Sequence, residues 1–181
     1  DQVSMANAAV QVTDEVDLSK INDLRANTTG NITVDEIKDN KVNLSEVDAF
    51  VAEDGVIGDV ILSDADIKVT DVVNRSEADI INGYNDVSGV VTLTSVTDVL
   101  ENVNALSTTA GISITTSDLK VTDTTSLEDA DKLNSFTDGE VTLDAVTDTF
   151  ENVERIYKLR PIEEGENGVD ISKATINIVI T

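Results

Sequence analysis

Aspartate residues recur along this chain where predicted strands give way to predicted helices. Two sets occur at corresponding places in a repeating pattern: Asp14, Asp71 and Asp123, and Asp39, Asp98 and Asp148. Stacked on neighbouring strands, these carboxylates would form a ladder of oxygen ligands, the chemistry that Ca²⁺ prefers. The same periodicity is expected if each aspartate caps a helix or closes a turn, so both interpretations stay open. Asp64 and Asp66, in Ser-Asp-Ala-Asp, are a second candidate pair for a cation.

The residue types present give little support to catalytic chemistry. The chain has no His and no Cys, which excludes a Ser-His-Asp triad, a Cys nucleophile, disulfides and thiolate metal sites. Pairs of Asp and Glu suited to glycoside hydrolysis occur throughout so acidic a chain and carry little information. We therefore predict no catalytic residue, no enzyme activity and no required cofactor. A carbohydrate-active enzyme would need a cleft in which two carboxylates converge.

Threonine residues also recur at corresponding places in the predicted strands. They are Thr13, Thr70 and Thr122, and Thr33, Thr92 and Thr142. Ranks of threonine on a flat face could bind ice or sugar. The high β-propensity of threonine explains the same positions without any ligand, and both explanations stay open.

The composition limits both the partners and the core. The 181 residues include 36 Asp and Glu against 12 Lys and Arg, a net charge of −24, which disfavours nucleic acid and anionic membrane surfaces as partners. No stretch approaches 18 apolar residues, so no membrane span is predicted. Aromatic residues make up 3% and Trp is absent, so the core is expected to consist of Val, Ile, Leu and Ala. The chain begins at Asp1 rather than at Met, which favours a processed mature form or a fragment.

One block of twelve residues occurs four times and organises the chain. It occupies residues 3–14, 60–71, 112–123 and 169–180, with apolar residues at its first, third, eighth and tenth positions. In the clearest copy these are Ile112, Ile114, Leu119 and Val121. Two apolar residues separated by one polar residue, twice over, predict two short strands joined by a bend.

Each block is followed by a helix, a glycine, a second strand and a second helix. The first helices are predicted at Asp17–Ala26, Arg75–Tyr84 and Ser126–Phe136. The second helices are predicted at Ser45–Glu53, Asp98–Leu106 and Asp148–Tyr157. Ser126 and Asp129 have the spacing of an N-terminal cap. The glycines between, Gly30, Gly89 and Gly139, fit left-handed helix caps.

This succession predicts a repeat architecture. Units of about 52 to 57 residues cover approximately 3–59, 60–111 and 112–168, and residues 169–181 start a fourth unit of a single domain, 1–181. The halves of each unit look like diverged versions of one strand–helix step of about 25 to 30 residues. The predicted fold is an α/β solenoid of short parallel strands with short helices on the outside.

Two stretches resemble repeats of large secreted bacterial surface proteins, adhesin-like and S-layer-like. They are Val121–Phe136 and Gly139–Val153, which contain VTD, a helix, Gly-x-VT, and then DT with a short helix ending in NV. The likeness extends over three units, most of the chain. It implies an exported structural protein, and calcium dependence occurs among such proteins. This chain is more acidic and less rich in alanine, and it lacks their calcium-binding glycine-aspartate nonapeptides.

Both ends of the repeat array lack charge. The segments Val3–Thr13 and Ala174–Thr181 carry no charged side chain, and the latter is typical of a strand that seeks a partner. We expect the chain to bind itself head to tail through these segments, so that Asp14 onward continues a neighbour's final block. The predicted function is a non-enzymatic structural protein of the cell surface or extracellular space: a filament, surface-layer or adhesin-stalk subunit. The alternative is an extracellular binding module for a glycan such as a cell-surface glycan, for ice or for Ca²⁺.

Overall fold

The computed structural model describes residues 7–51, 60–62, 64–84, 88–159 and 168–180. Over these ranges the chain is mixed α/β, with six short helices and parallel strand pairs, as predicted. The helices are α1 Leu18–Asn27, α2 Lys41–Val51, α3 Arg75–Asn82, α4 Leu100–Leu106, α5 Leu127–Asn134 and α6 Phe150–Lys158. The strands are β1 Val10–Val12, β2 Ile32–Val34, β3 Glu36–Asp39, β4 Val60–Ile61, β5 Asp66–Val73, β6 Val91–Asp98, β7 Ile112–Ser113, β8 Asp118–Thr125, β9 Glu140–Asp148, β10 Gly168–Asp170 and β11 Thr175–Ile178.

The chain forms two compact units. The first comprises Asp1–Asp71 with Glu77–Thr92, and the second comprises Val72–Ser76 with Leu93–Thr181. In the first unit β2 lies between β1 and β4, so that Ile32 has Val10 on one side and Val60 on the other. A separate parallel pair joins β3 to β5.

In the second unit β8 lies between β6 and β9. Leu119 of β8 has Val96 on one side and Val141 on the other. Both β10 and β11 pair with β9, and Ile176 of β11 lies beside Val146. Helices separate these strands in sequence because parallel strands need a crossover connection. We call a segment that consists of such strands and the helix that follows them a strand–helix step.

The bend inside the repeated block is the same in the copies that start at residues 60, 112 and 169. The backbone N–H groups of Ala65, Ser117 and Ala174 donate to the carbonyl three residues earlier, at 2.9, 3.1 and 3.1 Å. Two strands joined by a bend are thereby confirmed in these copies. In the first copy, residues 3–6 lie outside the described ranges.

The six predicted helices are present, with two informative details at their starts. Ser126 caps α5 as predicted, because its hydroxyl accepts from the Asp129 N–H at 3.2 Å while Asp129 accepts from the Ser126 N–H at 2.9 Å. The helix α2 begins four residues before the predicted Ser45. Asn40 starts it, since its Oδ1 atom accepts from the two N–H groups that follow two and three residues later, each at 3.0 Å.

Val, Ile, Leu and Ala side chains form the core, as the composition predicts. Leu93, Leu119 and Leu143 lie on neighbouring strands and are at most 1% exposed. The helices α5 and α6 pack on β9, and Leu133 of α5 and Ile156 of α6 are fully buried. Among the aromatic side chains that the structure describes, none is buried. Layers of small branched side chains therefore suffice to hold the steps together.

The glycines between helices and strands permit close backbone packing, which corrects their prediction as left-handed caps. Of the described glycines, Gly111 alone has a positive φ, 80°. A Cβ atom on Gly30 would lie 2.2 Å from the Ala8 carbonyl oxygen, and one on Gly139 would lie 2.3 Å from that of Ser117. Glycine is needed at these two places because any side chain would push neighbouring strands apart.

None of the described helices is long and apolar enough to cross a membrane. The predicted boundaries of the repeat units, and the single domain, stay predictions.

Candidate functional site

The aspartates that close the strands bind the helix of the preceding strand–helix step. In five places a carboxylate accepts a hydrogen bond from the backbone N–H of that helix's first residue. The pairs are Asp39 with Leu18 (3.0 Å), Asp71 with Lys41 (2.9 Å), Asp98 with Arg75 (2.8 Å), Asp123 with Leu100 (2.7 Å) and Asp148 with Leu127 (2.9 Å). We call this series the aspartate ladder. Each bond satisfies one N–H group that a helix start leaves without an intrahelical partner.

The capping interpretation is confirmed for these five residues, but the capped helix is not the one that sequence order indicates. An aspartate just before a helix is expected to cap that helix. The parallel register instead sets Ile37 beside Val16, which brings Asp39 level with Leu18. The helices that follow Asp39 and Asp148 are capped by Asn40 and Thr149 instead. Because the partners are 21 to 30 residues apart, no local pattern reveals them.

Three ladder aspartates carry an additional set of donors. The asparagine four residues later donates its side-chain N–H to the same carboxylate, at 2.8 Å in each case. These pairs are Asp39 with Asn43, Asp98 with Asn102 and Asp148 with Asn152. The backbone N–H of the next residue also donates, again at 2.8 Å. The recurring Asp-x-x-x-Asn spacing is a sequence signal that could have indicated this arrangement.

These bonds favour the ionised form of Asp98. Burial by itself would raise the pKa of Asp98, since it disfavours the charged carboxylate. Hydrogen bonds from the Arg75 N–H and the Asn102 side chain outweigh burial. Together with the Val99 N–H, they hold the pKa of Asp98 below its usual value.

Hydrogen bonds also lower the pKa of Asp148, and burial opposes them less there than at Asp98. The Leu127 N–H has the largest effect and lowers the pKa of Asp148, followed by the Asn152 side chain and the Thr149 N–H. A carboxylate that accepts several hydrogen bonds stays ionised to lower pH. Asp98 and Asp148 are therefore charged, and fully able to cap, at neutral pH.

Aspartates at the N-terminal ends of strands bind residues that come later in the sequence. Asp66 accepts from the Val90 N–H at 2.8 Å, and Asp118 accepts from the Glu140 N–H at 3.0 Å. Asp64, the other member of the candidate cation pair, accepts from the Ser88 hydroxyl at 2.6 Å. In these places acidic side chains bind residues of the following strand–helix step, whereas the ladder aspartates bind the preceding one.

The arrangement favours a structural role for these carboxylates. Their oxygens accept N–H and O–H groups, and among the described residues no group of three or more acidic side chains is placed to hold a metal ion. Two polar grooves of about 480 and 290 Å³ lie beside Asp148 and Asp39. In both, the ladder aspartate accepts the hydrogen bonds given above. Binding of Ca²⁺ stays a prediction.

The threonines do not stack on adjacent strands where the register is known. Thr33 lies between Gln11 and Ile61, and Thr142 lies between Lys120 and Asp170. The side chains of Thr13, Thr70 and Thr122 are exposed. The geometry at Thr33 and Thr142 therefore offers no continuous threonine rank.

The two ends of the ladder differ from its middle. Asp14, the first aspartate of the predicted set, is exposed, and no described helix precedes it. At the other end Ile180 holds the block position of Asp71 and Asp123, and its side chain is 95% exposed. Phe150, the first residue of α6, is 70% exposed.

The last strand exposes side chains that the second and third copies of the block bury. Ile176 and Ile178 of β11 are 42% and 44% exposed, whereas the corresponding Leu119 and Val121 are at most 1% exposed. In the described part of the chain β11 pairs with β9 and has no strand on its other edge. An open strand edge with apolar side chains is a surface that binds further strands.

Comparison with protein-family models, with curated proteins and with solved structures found no match.

Proposed function

We propose that this chain is an α/β solenoid whose function is structural and non-enzymatic: a subunit that assembles end to end into a filament, surface layer or adhesin stalk. Two properties support the solenoid. Successive steps pair in parallel, and the aspartate ladder repeats one bond between neighbouring steps at five places. In such an array each step depends on its neighbours for its core and its caps.

The observation that carries the assembly is the open edge of β11. All four of its residues are exposed, and the apolar Val179 beyond it is 46% exposed. A further strand on this edge would cover Ile176 and Ile178 as β9 covers Leu119 and Val121. Burial of apolar surface and completion of strand hydrogen bonds both favour that contact.

Charge also favours a second copy as the partner. The chain has a net charge of −24, so most surfaces of two copies repel each other. Residues 171–181 contain one lysine, Lys173, and no acid. This segment is therefore a place where another acidic chain approaches without repulsion. The resemblance to repeats of secreted surface proteins supports an extracellular or cell-surface location.

Light scattering with electron microscopy tests the proposal. We expect the purified chain to form particles that grow with protein concentration, and Ile176→Lys with Ile178→Lys to reduce the average mass at least tenfold. Val42→Lys is the matched control, because Val42 is an exposed branched residue, 62% accessible, on α2. A monomer at every concentration would refute assembly.

Repeating the measurement with a chelator and then with Ca²⁺ examines the alternative function. A binding module for Ca²⁺ would stay monomeric and gain thermal stability with the cation. A structural subunit that needs no cation would assemble to the same extent in both.

A further inference from the structure

We propose that the copies join by strand exchange: Ala174–Ile178 of one copy takes the place that Ala8–Val12 holds beside β2 in a second copy. The inference rests on the self-association proposed above and specifies its surface and its partner.

The two segments are equivalent in sequence. Both occupy positions six to ten of the repeated block, as Ala-Thr-Ile-Asn-Ile and Ala-Ala-Val-Gln-Val. Each begins with alanine and places branched apolar residues at its third and fifth positions. Ile176 and Ile178 therefore correspond to Val10 and Val12. The exchange would replace one strand by another of the same side-chain pattern.

On its open edge, β11 has the same backbone N–H and C=O groups that β1 uses to pair with β2. In β1, the Val10 N–H donates to the Asn31 carbonyl at 2.8 Å, and the Val12 carbonyl accepts from the Asp35 N–H at 3.0 Å. Successive residues of a strand direct their N–H and C=O groups to opposite edges.

The edge of β11 that pairs with β9 is identified by the Val179 N–H, which donates to the Asp148 carbonyl of β9 at 2.9 Å. The backbone groups of Ile178 and Ile176, one and three residues earlier, therefore face the open edge. These are the equivalents of the Val12 and Val10 groups that bind β2.

A second contact fixes the position of the first alanine. The Thr28 hydroxyl donates to the Ala8 carbonyl at 2.6 Å, and the absence of a side chain on Gly30 lets that carbonyl approach. We call Thr28–Gly30 the Thr-x-Gly anchor. The second unit has the same arrangement, in which Thr137 donates to the Ser117 carbonyl at 2.6 Å beside Gly139.

Ala174 has the local geometry that this anchor requires. Its N–H closes the same bend as the Ser117 N–H, each at 3.1 Å from the carbonyl three residues earlier. Ser117 and Ala174 also hold the same block position. The Ala174 carbonyl is therefore set to accept from a threonine of an anchor, and Thr28 of a second copy supplies one.

The pairing rules of the fold favour exchange over simple addition. Strands from the repeated block pair with strands that follow Gly30, Gly89 or Gly139, and within the described residues no two block strands pair with each other. Adding β11 to the free edge of β1 would pair two strands of the repeated block with each other. Placing β11 beside β2 restores the alternation that the rest of the chain keeps.

A reversible lock on β1 tests the exchange. Gln11 and Thr33 lie side by side in the register, and neighbouring strands are about 4.8 Å apart, within the Cα separation that a disulfide spans. The chain has no cysteine of its own, so Gln11→Cys with Thr33→Cys creates a unique pair. Oxidation fixes β1 on β2, and reduction releases it. The same protein is its own control, and circular dichroism before and after reduction verifies the fold.

We expect the oxidised variant to lose self-association at least tenfold by light scattering and to recover it on reduction. We also expect an Asn177→Cys chain to form a disulfide with a Thr33→Cys chain when the two are mixed, because Asn177 would occupy the place of Gln11. An Asn177→Cys chain mixed with a Gln11→Cys chain should stay unlinked.

Two results would overturn the exchange. If the locked chain assembles unchanged and Asn177→Cys links to Gln11→Cys, then β11 adds to the outer edge of β1, and self-association stands without exchange. If the unsubstituted chain is a monomer at every concentration, the proposed assembly fails and exchange fails with it.

Discussion

The strands β8 and β11 contain the same block of sequence in two different surroundings. In β8, Leu119 and Val121 are at most 1% exposed, and strands lie on both sides. In β11, Ile176 and Ile178 are 42% and 44% exposed, and among the described residues a strand lies on one side. The difference in burial follows from the number of neighbouring strands, because the apolar pattern is the same. The block is therefore built to have two neighbours.

The helices that precede these two strands show the same contrast. The Leu100 N–H of α4 donates to Asp123, and Val103 is fully buried. In α6 the corresponding Phe150 is 70% exposed and Val153 is only partly buried. The start of α4 is thus bound by an aspartate of a later strand, whereas the start of α6 is capped by Thr149, the residue directly before it.

Truncating the inner strand should cost far more stability than truncating the terminal one. We expect Leu119→Ala to lower the free energy of unfolding by about 2–4 kcal/mol, since it leaves a cavity between two strands. We expect Ile176→Ala to lower it by less than about 1 kcal/mol, because that side chain already contacts water. Urea unfolding at low protein concentration, with the chain dispersed, measures both. Equal losses would show that the two strands are equally enclosed.

Asp148 of the aspartate ladder should contribute less to stability than the core does, and only while it is ionised. We expect Asp148→Ala to cost about 1–2 kcal/mol at pH 7, as the loss of a helix cap does. Asp14→Ala is the matched control, expected to change stability by less than about 0.5 kcal/mol, because Asp14 is exposed and precedes the ladder.

The pH dependence of the effect of Asp148→Ala tests whether the charge of Asp148 causes it. The folded-state pKa of Asp148 is lowered, so its contribution is complete above the unfolded-state pKa of about 3.9 and disappears as the pH falls through the folded-state value. Thermal unfolding from pH 7 down to pH 2 should show the difference between the original chain and Asp148→Ala closing below about pH 4. A difference that persists at pH 2 would mean that charge is not what matters at this position.

Adding the missing ladder residue should produce the smallest effect, and a stabilising one. The register that sets Ile178 beside Asp148 brings Ile180 level with Phe150. We expect Ile180→Asp to cap the Phe150 N–H and raise the free energy of unfolding by about 0.5–1 kcal/mol. Ile180→Ala serves as the control for loss of the apolar side chain. If both substitutions have the same effect in urea unfolding, the terminal position does not continue the ladder.

The sequence predicts the elements of this fold well because their causes are local. Leu127, Ala130 and Leu133 are spaced by three, which indicates α5, and Ser126 with Asp129 indicates where α5 begins. The alternation of Leu119 and Val121 with polar residues indicates β8. The predicted start of α2 at Ser45 is wrong by four residues, because Asn40 caps the helix.

The partners of the ladder could not be predicted, because they depend on register between segments distant in sequence. Asp39 lies directly before α2, and nothing in its neighbourhood points to Leu18. Likewise Gly30 follows a helix, which predicts a left-handed cap, whereas its actual role depends on the approach of Ala8. Contacts between steps decide both cases.

The direction of the ladder has a consequence for how the chain is completed during synthesis. The N–H of Leu100 is bound by Asp123, which is made 23 residues later, and the N–H of Leu127 is bound by Asp148, made 21 residues later. The starts of α4 and α5 therefore gain these bonds only when β8 and β9 have emerged from the ribosome. The capping aspartates are synthesised one after another, so helix starts are completed in order from the N-terminus. The most recently synthesised helix still lacks its aspartate while it leaves the ribosome.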